Sequence, residues 1–283
     1  MVFGCRYVFC ERKGKMDAGF EALRVSDGVW HIRDAMGVCV TLLAGSERAV
    51  LVDTAYGIGD LKSFVRGLTD LPLEVVLTHG HHDHALGAMG FDAAGVLCGE
   101  EEVFREYTCF SRRERVLEQA AAKGILLVGP EREEYLDRPM PPLKMLEEGD
   151  VHLGGMTARI IRCPGHTPGS LVVWVPERGI LLSGDNYNPC TWVFFHEALG
   201  PRTYRGNVEK LLSLPFDTVL CSHDPRPQPR KRLEDFLSAI GDAGLEGARP
   251  SRDGEGAGVE TLEILMPDGQ KFVFSREKYD AGL

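Results

Sequence analysis

Short apolar runs separated by segments with helical spacing dominate the first half of the chain. Strands are predicted at residues 29–32, 38–43, 48–52, 73–77 and 95–98. Residues 61–68 repeat their apolar positions every three or four residues, which is typical of a helix, and residues 85–89 open another. Strands alternating with helices predict a layered α/β fold.

The second half continues this pattern after a different middle segment. Residues 100–145 are charged, helix-favouring and closed by a proline-rich return, which predicts a helical insertion over one edge of the core. Beyond it, strands are predicted at residues 157–162, 171–175, 179–182 and 218–221, and helices at 208–212 and 233–240. Residues 241–258 read as a glycine-rich linker, and about 258–275 as an appended C-terminal β-hairpin. We predict a single domain over 1–283.

Composition and charge limit the partners. The 283 residues are 43% hydrophobic and 26% charged, with a formal net charge of -10, which argues against nucleic acid or an anionic membrane. The amino-terminal order, apolar and then basic, is the reverse of a secretory signal, and the eight cysteines form no C-x-x-C pair. We therefore predict a cytoplasmic protein acting on a small molecule, without nucleic-acid or membrane partners; a homo-oligomer is compatible with the sequence.

The densest chemistry lies in residues 78–84, THGHHDH, directly after a predicted strand. Residues two apart in an extended segment point the same way, so His79 and His81 can share an ion. Three later predicted strands also end in ligand-type residues, namely His166, Asp185 and His223. Strand ends that meet at one sheet edge are where α/β proteins build sites. Burying a cluster this dense without a compensating ion costs free energy. A metal site is therefore a better explanation of the cluster than chance.

These motifs, H-x-H-x-D-H followed by P-G-H-T-P-G-S, S-G-D and S-H, resemble the metallo-β-lactamase superfamily over about residues 29–240. The resemblance implies an αββα four-layer sandwich with its site along one edge. It also implies seven metal ligands: His79, His81 and His166 for a first ion, Asp83, His84 and His223 for a second, and Asp185 bridging. An aspartate at 185, where the zinc β-lactamases carry cysteine, resembles the thioesterase and lactonase branch.

Imidazole and carboxylate ligands suit two divalent ions, with zinc the first choice and iron or manganese also compatible. Such a pair generates a bridging hydroxide, which would attack the carbonyl of a small ester, thioester or lactone. The predicted catalytic residues are Asp83, which could orient the proton of the hydroxide, and Tyr187, which could hydrogen-bond the substrate carbonyl or oxyanion. The residues predicted to orient the ligand histidines are Asp53, Thr78 and Ser222.

Three other functions stay open at the level of sequence. Persulfide dioxygenases resemble the same motif set but use a single iron, which His79, His166 and Asp185 would hold. A phosphodiesterase is disfavoured by the acidic balance. A protein that holds metal without turnover is the third. Metal content and oxygen consumption distinguish the dioxygenase from the hydrolase.

Overall fold

The computed structural model of the protein describes residues 6–8 and 19–283. The strands, in chain order, are β1 Arg6–Val8, β2 Glu21–Ser26, β3 Val29–Arg33, β4 Cys39–Ala44, β5 Ala49–Val52, β6 Leu73–Val76, β7 Ala94–Leu97, β8 Leu143–Leu146, β9 Gly149–His152, β10 Thr157–Arg162, β11 Leu171–Val175, β12 Ile180–Gly184, β13 Cys190–Val193, β14 Thr218–Cys221, β15 Gln228–Pro229, β16 Arg249–Ser251, β17 Thr261–Leu265 and β18 Lys271–Ser275. The prediction about a secretory signal concerned residues 1–15, most of which lie outside the described residues.

The helices are α1 Leu61–Arg66, α2 His82–Ala85, α3 Glu101–Tyr107, α4 Phe110–Ala122, α5 Pro130–Asp137, α6 Pro201–Glu209, α7 Arg230–Ala239, α8 Asp242–Glu246 and α9 Arg276–Asp280. Short 3₁₀ helices occupy Leu86–Gly90, Pro176–Arg178, Lys210–Ser213 and Glu255–Ala257. Within the described part of the chain, no helix is long and apolar enough to cross a bilayer.

Three sheets organise the strands. The first runs β1 to β8 in sequence order, antiparallel up to β5 and parallel from β5 to β8. The second has the order β15-β14-β12-β11-β10-β9, with β12 and β14 parallel. The third has the order β13-β18-β17-β16. Because parallel strands place their carboxyl ends at the same edge, β12 and β14 deliver the segments that follow them to one edge of the second sheet.

The first two sheets face each other across a buried apolar layer, which includes Leu43 and Val52 from the first sheet and Val173 and Leu182 from the second. Leu42, beside Leu43 on β4, points to the opposite face and packs against α1. Helices α6 and α7 cover the outer face of the second sheet. These four layers confirm the predicted αββα sandwich.

The helical insertion is confirmed as α3, α4 and α5, but its carboxyl boundary was set too late. Residues 143–146 form β8, which extends the first sheet by pairing with β7. The inserted helices pack on the rest of the chain through Val116 and Tyr135, which share an apolar cluster with Ile58 and Leu86. They therefore lie beside the helix that carries the histidine motif.

Two predictions for the carboxyl end need correction. Residues 241–258 are not a plain linker, because they form α8, β16 and a 3₁₀ helix. The hairpin β17–β18 is present but is not appended, since β18 pairs with β13 from the body of the fold. Phe272 and Phe274 are fully buried in the same cluster as α6 and α7. The sequence did not predict this burial of the hairpin, because the strand pairing between residues 190–193 and 271–274 is entirely non-local.

Candidate metal centre

The four predicted ligand segments meet at one edge of the sandwich. These segments follow β6, β10, β12 and β14, which are the strands after which the sequence predicts ligand-type residues. The donor atoms fall into two groups, within each of which all lie within 4.8 Å of one another: His79, His81 and His166 in the first, and Asp83, His84, Asp185 and His223 in the second. The structure thus brings all seven residues together.

Hydrogen bonds around the first group determine which imidazole nitrogens carry protons. His166 Nδ1 donates to the Trp192 carbonyl at 2.6 Å, and His81 Nε2 donates to the Glu197 carboxylate at 2.5 Å. The other nitrogens, His166 Nε2 and His81 Nδ1, face each other at 3.0 Å. In neutral rings both carry only lone pairs, so a cation between them relieves their repulsion.

His79 completes this group in the same way. Its Nδ1 lies 3.0 Å from the Thr78 hydroxyl, which donates to Asp53, so the ring nitrogen is the donor in that contact. Its Nε2 is buried and has no hydrogen-bond partner. Burial and the neighbouring imidazoles hold the pKa of His79 well below its usual value, and lower that of His166 to about 4. Neutral imidazole is the form that binds a metal.

The second group combines imidazoles with carboxylates. His84 Nδ1 donates to Asp53 at 2.9 Å and turns Nε2, 3.3 Å from an Asp185 oxygen, into the cluster. His223 Nε2 lies 3.2 Å from Asp185 and 3.5 Å from Asp83. Burial opposes protonation of His84 and His223, but the carboxylates outweigh it and raise the pKa of both. The carboxylates thus favour positive charge in this group, which a bound cation would also supply.

Asp185 touches both groups. One oxygen lies 3.3 Å from His84 Nε2, and the other lies 3.6 Å from His166 Nε2 in the first group. Burial alone would raise the pKa of Asp185, but His223 and His84 lower it well below its usual value, so the group is an anion. Opposed lone pairs, unpartnered buried nitrogens and a shared carboxylate fit a pair of divalent ions, and the donor types suit zinc, iron or manganese.

Residues 33–223, more than half of the chain, match the model of the metallo-β-lactamase superfamily. The chain belongs to this superfamily. Among curated superfamily relatives, the acyl-coenzyme A thioesterase MBLAC2 of Gallus gallus is 30% identical over 52% of this chain and 56% of its own length. The bovine protein of that name is 28% identical over 62% and 67%. A hydroxyacylglutathione hydrolase of Chelativorans sp. is 31% identical over 36% and 39%. The chain thus spans only about half to two thirds of the thioesterases it matches.

Solved structures of superfamily members have the same fold. A β-lactamase domain protein from Burkholderia ambifaria superposes with a TM-score of 0.56 and 24% identity, over 86% of this chain and 78% of that one. A family protein from Thermus thermophilus superposes with a TM-score of 0.54 and 23% identity, over 79% and 82%. At these identities the likeness establishes the fold alone.

Asp53 and Thr78 do contact histidines of the candidate metal centre, as predicted. Asp53 adopts φ +65°, a conformation rare outside glycine, and accepts hydrogen bonds from Thr78 and from His84. Ser222 differs from the prediction, because its backbone carbonyl accepts from the Cys39 amide and so ties the site to β4. The sequence placed these residues near the histidines but could not assign their contacts.

Two buried glutamates around the site were missed. Glu100 accepts from the amides of Gly80 at 2.8 Å and Gly169 at 2.7 Å, and from the Thr167 hydroxyl. It therefore joins the loop of the first two histidines to the loop of His166. Glu197 contacts His81 as described above. Neither belongs to a motif, and the sequence around them gives no sign of their contacts, so only the folded chain reveals them.

The prediction that Tyr187 contacts a substrate is wrong. Its side chain is 1% exposed, its hydroxyl donates to Gln270 at 2.6 Å, and its ring packs against Phe236. The chain turns after Asp185, so the tyrosine two residues later enters the core instead of the site. Asp83, in contrast, lies within the second group of candidate ligands, and its catalytic role stays a prediction.

Aromatic side chains lie around the first group. Tyr107 packs on the His81 ring with centroids 4.2 Å apart, and Phe195 lies 5.0 Å from the same ring. Trp192 is 40% exposed next to the His166 loop. Phe104, on the same helix as Tyr107, is buried under the first sheet, and Phe110 begins the next helix.

Proposed function

We propose that this protein is a binuclear metal-dependent hydrolase that cleaves small thioesters, and by the same chemistry esters or lactones. The observation that carries the proposal is the pair of ligand groups with Asp185 in contact with both. His79, His81 and His166 would hold one ion, Asp83, His84 and His223 the other, and Asp185 both. Zinc is the first choice.

Bound divalent ions would lower the pKa of water towards neutrality and polarise a carbonyl oxygen. The residues of the chain supply the rest. Burial opposes ionisation of Asp83, but His84 and its neighbours lower its pKa to about 2, so the group is a carboxylate that can accept a hydrogen bond from the attacking water and orient its proton. Asp53, Glu100 and the Trp192 carbonyl hold the ligand rings and loops in place, which keeps the donor atoms preorganised.

The substrate class rests on the relatives and on residue 185. The curated relatives named above are a thioesterase and a hydroxyacylglutathione hydrolase, and both names describe thioester cleavage. An aspartate in place of a thiolate ligand makes the second ion a harder centre. The alternative, a persulfide dioxygenase with one iron on His79, His166 and Asp185, would leave the complete second group without a role. Cytoplasmic location, a single domain and the absence of nucleic-acid partners stay predictions.

The test combines elemental analysis with a panel of thioesters, lactones and phosphodiesters. We expect two metal ions per chain and thioester hydrolysis that a chelator abolishes and zinc restores. His79→Ala should lose metal and activity, whereas the matched variant His152→Ala, at an exposed histidine outside the clusters, should keep both. One iron per chain with oxygen consumption would favour the dioxygenase, and turnover that survives the chelator would refute metal dependence.

A further inference from the structure

Glu197 is a buried carboxylate on the loop between β13 and α6. Its side chain is 7% exposed, and Oε1 lies 2.5 Å from His81 Nε2. Its other oxygen lies 3.0 Å from Nδ1 of the exposed His196. A buried carboxylate is costly unless it is paired, and the contact with His81 supplies the pairing.

The contact with Glu197 matters because of the way the His81 ring is oriented. His81 faces the cluster through Nδ1, whereas His79 and His166 face it through Nε2. A neutral imidazole carries one proton, so Nδ1 is free to bind an ion only when the proton is on Nε2. Tyr107 and Phe195 pack around the ring but offer it no anion. Among the described residues, Glu197 is the acceptor within hydrogen-bond distance of Nε2.

A lysine from the carboxyl-terminal helix holds the loop that carries Glu197. Lys278, on α9, donates to the carbonyls of Phe195 at 2.8 Å and His196 at 2.9 Å, and also to that of Ala198. These carbonyls flank Glu197 on both sides. One ammonium therefore holds the backbone on either side of Glu197, so the tertiary structure sets the position from which its side chain reaches His81.

We propose that Glu197 is a positioning residue that keeps His81 in the Nε2-protonated tautomer and thereby strengthens binding of the first ion. The proposal rests on the metal-binding part of the proposed function. Substitutions of residues that orient metal-bound histidines typically weaken metal affinity about 10–100-fold. We expect a loss of that size for one ion in Glu197→Gln, which keeps the shape but removes the charge, with the second ion unaffected.

The experiment titrates metal-free protein with Zn²⁺ against a chromophoric chelator, and Glu106→Gln serves as control. Glu106 approaches His196 at 3.2 Å, so its variant removes the same charge nearby without touching His81. Long-range ¹H–¹⁵N NMR of the zinc-loaded wild type reports the His81 tautomer independently of any variant, and we expect Nε2–H.

Three results would overturn the proposal. They are an unchanged zinc affinity in Glu197→Gln, an equal loss in Glu106→Gln, or an Nδ1-protonated His81 in the wild type. If the wild-type chain binds two ions and Glu197→Gln binds them with the same affinity, only this inference is contradicted. A wild-type chain that binds no ion contradicts the proposed function as well.

Discussion

At the scale of single residues, Asp185 connects the two groups of the candidate metal centre. It is the carboxylate that approaches histidines of both groups, at 3.3 Å from His84 and 3.6 Å from His166. An anion in this position would offset part of the charge of two bound dications. We therefore expect its charge to matter more to metal content than to the stability of the fold.

We expect Asp185→Ala to lose at least one metal ion per chain and most of the hydrolytic activity, while the metal-free protein stays folded. Elemental analysis and circular dichroism of the purified variant check this. Asp92→Ala, at a fully exposed aspartate, is the control and should keep full metal content. Normal metal content and turnover in Asp185→Ala would rule out the bridging role.

His31 gives the fold a pH dependence that is independent of the metal ligands. It is buried between the Thr41 hydroxyl and the Asp224 carbonyl, and burial lowers its pKa to about 4. The unfolded chain binds this proton near the ordinary value of about 6.5, so stability is present above that pH and is lost as the pH falls towards 4. Between pH 7 and 5 the loss from this one group is about 2 kcal/mol.

His31→Gln should therefore show a smaller drop in unfolding free energy between pH 7 and 5 than the wild type, measured by urea denaturation of metal-free protein. Gln cannot take up the proton, which removes that contribution whatever its effect on stability at pH 7. The exposed His152→Gln serves as control and should follow the wild-type slope. Equal slopes for His31→Gln and the wild type would refute the assignment.

At the scale of elements, the centre depends on loops held together across the two sheets. Glu100, at the start of α3, binds the loop after β6 through Gly80 and the loop after β10 through Thr167 and Gly169. Gly80 and Gly169 also need to be glycine, because a Cβ would lie 2.5 Å from Phe104 N and 2.7 Å from Glu100 Cγ. The inserted helices thus help to align the ligand loops.

We expect Glu100→Gln to destabilise metal-free protein by about 1–3 kcal/mol, because the amide turns a donor towards a backbone N–H and leaves buried groups unpaired. Urea denaturation measures the change. Glu102→Gln, two residues on at an exposed position of α3, should stay within about 0.5 kcal/mol of the wild type. Equal stability of all three proteins would show that the contacts of Glu100 carry no net energy.

At the scale of the whole molecule, the third sheet makes the carboxyl end part of the core. Phe272 is fully buried, with its ring 5.2 Å from Tyr204 and 5.8 Å from Phe236. We expect Phe272→Ala to cost about 3–5 kcal/mol in unfolding free energy, since it leaves a cavity in a close-packed cluster. Leu265→Ala, on the same hairpin but 55% exposed, should cost far less. Comparable small losses in both would mean that the hairpin is peripheral.

The sequence by itself determined the layers and the candidate ligand residues. Buried strands such as β5 and β11 are continuous apolar runs, and the ligand residues stand in fixed positions after strands, so both are encoded locally. The predicted strands agree with the structure to within two residues, and all seven predicted ligand residues meet at one edge.

The tertiary structure decided what surrounds those ligands. The pairing of β13 with β18, the contacts of Glu100 with Thr167 and Gly169, and the contact of Glu197 with His81 each join residues more than 60 positions apart. The side chain of Tyr187 lies in the core because the turn after Asp185 directs it there. The neighbouring residues in the sequence do not reveal this direction. A local pattern specifies which face of an element is buried, but contacts between distant segments depend on how all the layers pack, and that was settled only in the folded chain.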